Sequence, residues 1–149
     1  MRIPGILLIP VAALAFAACN KDDTTSGGND VIPRSKVDAR VKNSVYYSTE
    51  TQAMQSGNLL SVIGVRNLGT GKQSAIALQL KHYTGPGSYR IDTATQASYT
   101  DVGVLYTADS GVVVITGINS EKYAGSFGFR AMGPDGAVRV TEGVIEVYK

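Results

Sequence analysis

The chain reads as all-β: an antiparallel β-sandwich or flattened meander barrel of about 8–9 strands, behind a signal peptide and a flexible linker. Three observations predict this. From Lys36 onward, apolar residues alternate with polar ones in short runs, the period-two signature of half-buried strands. Clusters of Gly, Pro, Asn and Asp interrupt those runs about every 8–12 residues, the spacing of sandwiches and barrels. No stretch carries a convincing helical period.

Residues 1–18 form the leader. Met1-Arg2 puts one positive charge near the start, and Ile6 to Ala18 is uncharged and apolar. That run is too short to cross a hydrocarbon core, which takes about 20 residues. A charged start, a short apolar run and a small-residue exit describe a secretory signal peptide. Ala15-Phe16-Ala17 offers the ordinary cleavage pattern, but Phe16-Ala17-Ala18-Cys19 fits another class better. It resembles the bacterial lipobox, an aliphatic residue, two small residues and cysteine, with Phe16 where leucine is commoner. The resemblance implies that the Cys19 thiol receives a diacylglycerol and that Cys19 becomes the new terminus. Cys19 is the single cysteine, so an internal disulfide is impossible. Each buried methylene contributes about 0.8 kcal/mol, so two or three acyl chains anchor a protein stably. The membrane, reached through lipid on Cys19, is the first expected partner.

Residues 19–35 are the lipidated cysteine and its linker. Asn20 to Asp30 is polar and Gly-rich, without an apolar residue. Such a segment buries too little surface to offset its ordering entropy. Stretched out, Asn20–Ser35 reaches about 50 Å. Lys21-Asp22-Asp23, directly behind Cys19, resembles the lysine-plus-two-acids export signal of Bacteroidota-type lipoproteins. That implies a lipid-anchored protein on the outer membrane facing the cell exterior, with the periplasmic face as the alternative.

Residues 36–149 are the all-β domain. Val37, Ala39 and Val41 alternate with Asp38, Arg40 and Lys42 as the first strand. Val45 to Thr51 reads as a second extended run, and Thr51 to Ser56 as one short helical turn at most. Leu59 to Arg66 is the next strand, closed by the turn Asn67-Leu68-Gly69-Thr70-Gly71. Ile76, Leu78 and Leu80 then face one way, with Ala75, Ala77, Gln79 and Lys81 opposite. Thr84-Gly85-Pro86-Gly87 breaks the pattern, because Pro fixes φ and Gly accepts positive φ. Ser88 to Asp92 resumes it, with Tyr89 and Ile91 on one face.

Tyr99 to Thr107 reads as one strand, ended by a turn at Ala108-Asp109-Ser110-Gly111. Val112 to Ile118 is almost wholly apolar and is expected at the centre of a sheet. Asn119-Ser120-Glu121 turns the chain. Tyr123, Phe127 and Phe129 share one parity, with Ser126 and Arg130 opposite. Gly133-Pro134-Asp135-Gly136 makes the last hairpin. Val138 and Val140 then lie on one parity, Ile145 and Val147 on the other. A bulge at Thr141-Glu142-Gly143 reconciles them, since one extra residue shifts the alternation. Short connections favour a meander. A lipocalin barrel is disfavoured, because its Gly-x-Trp needs a tryptophan and the chain has none.

Gly87-Ser88-Tyr89, Gly125-Ser126-Phe127-Gly128-Phe129 and Val140-Thr141-Glu142-Gly143-Val144-Ile145 follow in order. With the leader, they resemble the small Bacteroidota-type lipoproteins grouped as domains of unknown function. Those relatives commonly end in a Gly-x-Phe strand, and Ile145 stands in place of that Phe. The resemblance implies a cell-envelope β domain and brings no catalytic residues with it.

The residues themselves argue against chemistry. His82 is the single histidine, so a multi-histidine metal site is excluded, and it reads as a structural or rim residue. A Ser-His-acid triad lacks its Gly-x-Ser-x-Gly elbow. Gly69-Thr70-Gly71-Lys72 lacks the first Gly and the final Ser or Thr of a phosphate loop, and reads as a hairpin. Asp92, Asp101, Asp109 and Asp135 lack calcium-loop spacing. Glu142 and Glu146 are read as solvent-facing rather than as an acid–base pair. With 14 basic residues against 12 acidic ones and no basic stripe, nucleic-acid binding is not expected.

The eight tyrosines are the suggestive resource. A face built from Tyr83, Tyr89, Tyr99, Tyr106, Tyr123 and Tyr148, with Tyr46 or Tyr47, would suit a glycan or protein ligand. Half-buried strands also favour tyrosine. Three functions are therefore expected, in this order. The first is a lipid-anchored, non-catalytic β domain binding an extracellular glycan, peptide or protein. The second is a structural envelope subunit that pairs with a partner complex through an edge strand. An unrecognised hydrolase comes last. No cofactor and no metal are expected.

Overall fold

The alternating runs become ten antiparallel strands in one sheet. The computed structural model describes residues 34–118 and 121–149. Residues 1–18, Cys19, Lys21, Asp22 and Asp23 lie outside the described residues, as does most of the Asn119-Ser120-Glu121 turn. In chain order the strands are β1 (Lys36–Val41), β2 (Ser44–Tyr46), β3 (Glu50–Ser56), β4 (Leu59–Asn67) and β5 (Gln73–Leu80). Then come β6 (Gly87–Arg90), β7 (Thr95–Asp101), β8 (Val104–Ile118), β9 (Lys122–Gly133) and β10 (Gly136–Tyr148). Their order across the sheet is β2-β1-β10-β9-β8-β7-β5-β4-β3, with β6 paired to β8 off this path. Apart from that excursion, the β1–β10 pairing and the β2-to-β3 connection, which joins the two ends of the strand order, neighbours in sequence are neighbours in the sheet, as short hairpin loops favour.

Inward residues follow the expected parity. Leu60, Val62, Ile76, Leu78 and Leu80 are buried from β4 and β5. Val37, Phe127, Phe129, Val138, Val140, Ile145 and Val147 are buried from β1, β9 and β10, and both sets belong to one core. The β10 bulge falls where the parity change requires it. Its register with β9 shifts between Val140 and Gly143, and Glu142 takes a φ of 52°.

Three expectations are corrected. Thr51 to Ser56 is not a helical turn but most of strand β3, so the run from Val45 breaks after β2 and resumes at Glu50. Its polar residues have weak strand preference. Unbroken pairing from Glu50↔Val65 to Ser56↔Leu59 overrides it.

Tyr99 to Thr107 is not one strand. β7 and β8 meet at a two-residue turn, Val102-Gly103, with φ of 46° and 87°. Positive φ at both positions matches a type I′ hairpin turn. The expected turn at 108–111 is instead a bulge inside β8, whose register with β9 shifts between Ala108 and Ser110. The extra residue lets both Tyr106 and Val113 point inward.

β8 has two partners on one side. Val104 to Thr107 pairs with β7, and Val112 to Ile115 pairs with β6. On the other side β9 accompanies it from Thr107 to Ile118.

The sheet curls until its ends approach, with β1 near β3 and β4. A seam of hydrogen bonds joins them. The Val37 N–H donates to Ser48 Oγ at 2.9 Å, and the Ser48 N–H donates to Asp38 Oδ1 at 3.1 Å. Arg34 donates to the Ser48 carbonyl. The Tyr46 hydroxyl donates to the Gly64 carbonyl at 2.7 Å. Gly64 is needed here, because a Cβ on it would lie 2.5 Å from Val37 Cβ. The result is a curled, flattened meander with a half-barrel cross-section.

Candidate functional site

The expected tyrosine face is not on the surface. Tyr46, Tyr83, Tyr99, Tyr106 and Tyr123 are buried, Tyr89 and Tyr148 are half-buried, and Tyr47 is exposed. Tyr46, Tyr99 and Tyr106 form a chain of ring contacts at 6.3 and 5.9 Å. A flattened core takes rings that span it, and buried tyrosine hydroxyls usually find a hydrogen-bond partner. Tyr123 donates to Gln55 Oε1 at 2.9 Å, and Tyr106 to Asp135 Oδ2 at 3.4 Å. The Tyr83 hydroxyl is buried without a partner, and burial, then Tyr89, raises its pKa.

Most of the scattered ionisable candidates stay apart. His82 is exposed in the turn after β5. Asp92 caps its own turn, accepting the N–H groups of Ala94 and Thr95 at 2.7 and 2.8 Å. Those two N–H groups, Thr95 before Ala94, hold its carboxyl below the usual range, and His82 is close enough to add to that lowering. Asp109 pairs with Arg130 at 2.9 Å. Glu142 pairs with Arg40 at 2.9 Å, and Glu146 with Lys36 at 3.2 Å, so the two glutamates answer separate cations. Gly69, Thr70 and Gly71 all take positive φ in the β4–β5 loop, with Lys72 donating to the Gly69 carbonyl. No group of three metal-capable side chains occurs among the described residues.

What the fold does build is a neutral groove on its outer face. Cross-strand register lines up Gln52, Ile63, Ala77, Ser98 and Thr107 across β3, β4, β5, β7 and β8. The next row holds Met54, Ser61, Gln79 and Gln96. Small side chains at Ser61, Ala77 and Ser98 leave a depression of about 490 Å³, bordered by Asp92, Thr93 and Ala108. The depression ends where β8 leaves β7 and turns to β6. Apolar side chains, hydroxyls and amides are mixed in its lining, and no aromatic ring or cation lines it. Asp92 supplies the one charge, already engaged by its turn. The serine and threonine hydroxyls share the lining with the Asp92 carboxylate, and no histidine lines the groove among the described residues. Sequence reasoning missed this surface because it has no motif. It appears only when outward residues of four strands are laid side by side.

These features define a class: a curled antiparallel meander with a mostly uncharged groove on its outer face and no group of three metal-capable side chains among the described residues. Residues 34–147 match the family described as a domain of unknown function, DUF6252, and the chain belongs to that family. No curated protein and no solved structure matches it.

Proposed function

We propose that this protein is a lipid-anchored cell-envelope lipoprotein whose β domain binds a peptide or protein partner and performs no catalysis. The neutral groove carries the binding reading. Amides and hydroxyls mixed with apolar side chains match the chemistry of a polypeptide, which offers backbone donors and acceptors between side chains. A glycan suits it less, because no aromatic ring lines the groove to stack on a sugar. The anchor reading rests on Cys19 at the end of the apolar leader, and the outward-facing location on Lys21-Asp22-Asp23 behind it.

Two experiments test this reading. A photo-crosslinking residue placed at Ser98 in intact cells should capture a discrete partner, and Ala77→Arg should abolish capture without unfolding the domain. Capture unchanged by Ala77→Arg removes the groove from the account. Radioactive palmitate should label the wild-type chain but not Cys19→Ala, and protease added to intact cells should remove the domain. Label persisting in Cys19→Ala ends the anchor reading. Protection from protease moves the domain to the periplasmic face.

A second reading, a structural envelope subunit that pairs through an edge strand, is favoured by one observation. β3 ends the strand order and pairs on one side only.

A further inference from the structure

We infer that the free edge of β3 is a self-pairing surface, joining two copies of this chain antiparallel about a two-fold axis at Ala53. The inference deepens the edge-strand reading and rests on it.

β3 pairs with β4 in unbroken register from Glu50 to Ser56. No described strand pairs with its other side, while β1 and β10 approach β3 and Ala53 packs against the core. A strand edge presents a row of backbone donors and acceptors, and proteins ordinarily blunt it with lysine, proline, a bulge or short length. β3 has none of these. At the other end of the sheet, β2 is three residues long, so that edge is blunted by length.

The sequence of β3 favours a second copy as the occupant. Antiparallel pairing about Ala53 sets Glu50 opposite the partner's Ser56. It sets Thr51 opposite the partner's Gln55, and Gln52 opposite the partner's Met54. The strand's one charge therefore meets a neutral hydroxyl. In-register parallel pairing would instead bring Glu50 beside the partner's Glu50, and facing like charges are destabilising. Ala53 at the axis offers the least bulk where the copies meet.

The surroundings agree. Met54 is 58% exposed on this strand. Near its start, Val45 and Tyr47 are 53% and 51% exposed, and Arg66 holds both. Exposed apolar side chains gathered at one edge mark an interaction surface.

The test uses the full-length chain extracted in detergent. Antiparallel neighbours lie about 4.5–5.5 Å apart between Cα atoms, inside the disulfide range of about 4.4–6.8 Å. Ala53→Cys should therefore give a disulfide-linked dimer on mild oxidation. The wild-type chain, with Cys19 alone, and Gln79→Cys on the outer face should not. In sedimentation equilibrium the wild type should show twice the monomer mass. Gln52→Lys/Met54→Lys, with both changes on exposed side chains, should show the monomer mass and an unchanged circular dichroism spectrum.

Absence of an Ala53→Cys dimer above the wild-type background overturns the proposal. So does a monomeric wild type, which is also the result if residues 20–33 of the same chain cover β3. The edge-strand reading itself fails on a separate result. It fails if Gln52→Lys/Met54→Lys retains every envelope protein that cross-links to wild type in cells.

Discussion

The hydroxyl of Tyr46 donates a 2.7 Å hydrogen bond to the carbonyl of Gly64, linking β2 at one end of the sheet to β4 near the other. Tyr46 is buried, and its hydroxyl also reaches the Ser74 carbonyl at 3.3 Å. With the Ser48 bonds to Val37 and Asp38, this side chain holds the curl of the sheet where no ladder does. Tyr46→Phe keeps the ring and strips the donor, leaving a buried carbonyl short of a partner. We expect a loss of about 1–3 kcal/mol, read from the urea midpoint.

Gly64→Ala attacks the same closure from the other side. Its new Cβ would stand 2.5 Å from Val37 Cβ and 3.2 Å from Ser48 Cβ. Overpacking at such a contact costs about 1–3 kcal/mol. The two substitutions share one site, so the double variant should lose less or more than the sum of the singles. Additive losses in urea would separate the two contacts.

Val102→Asn should stabilise the domain. Val102 is 48% exposed and sits at a φ of 46°, where a β-branched residue is strained. Left-handed backbone costs an L-residue about 1–2 kcal/mol, and Asn tolerates it better. Asn-Gly is also the preferred type I′ pair. A gain of about 1 kcal/mol, seen as a melting temperature higher by a few degrees, is expected. An unchanged or lower melting temperature would remove strain at this turn from the account.

Stability should fall in alkali. Burial, with the Asp101 carboxylate next, pushes the Tyr99 hydroxyl from about 10 up to about 12. Burial, with Tyr99 next, raises Tyr46 further. Above pH 10 the unfolded chain releases these protons while the fold retains them. The unfolded state then binds fewer protons, so stability is full below about pH 10 and declines as pH rises through about 12. Tyrosinate absorbance should show these groups titrating late in the native protein. Unfolding curves flat from pH 9 to 12 would contradict the assignment.

The surface ion pairs should matter little. Arg40 and Glu142 side chains are 48% and 71% exposed. Exposed pairs contribute about 0–1 kcal/mol. Arg40→Gln should shift the urea midpoint only slightly, and less in high salt.

Much of the β pattern was legible because one-sided burial writes itself into alternation. Ile76, Leu78 and Leu80 declared their face, and the shift from Val140 to Ile145 declared a bulge. β3 was illegible because Gln52, Gln55 and Ser56 have no strong strand preference and gain their conformation from β4. The Val102-Gly103 turn was hidden because valine is no turn residue, while Asp109-Ser110-Gly111 looks like a turn and serves as a bulge. The tyrosines left two readings open because amphipathic rings suit a face and a flattened core, and parity alone does not say which; the core reading, favoured by strand preference, is the one the fold takes for most of them.

By itself, the sequence determined the all-β class, the meander of short hairpins and the inward parity of most strands. Those follow from local physics: side chains two apart share a face, and Gly and Pro set turns. Only the tertiary structure decided which ends of the sheet meet, where the tyrosines go and that small residues from several strands line one groove. These depend on register between strands distant in sequence, and a one-residue slip would move every side chain to the other face.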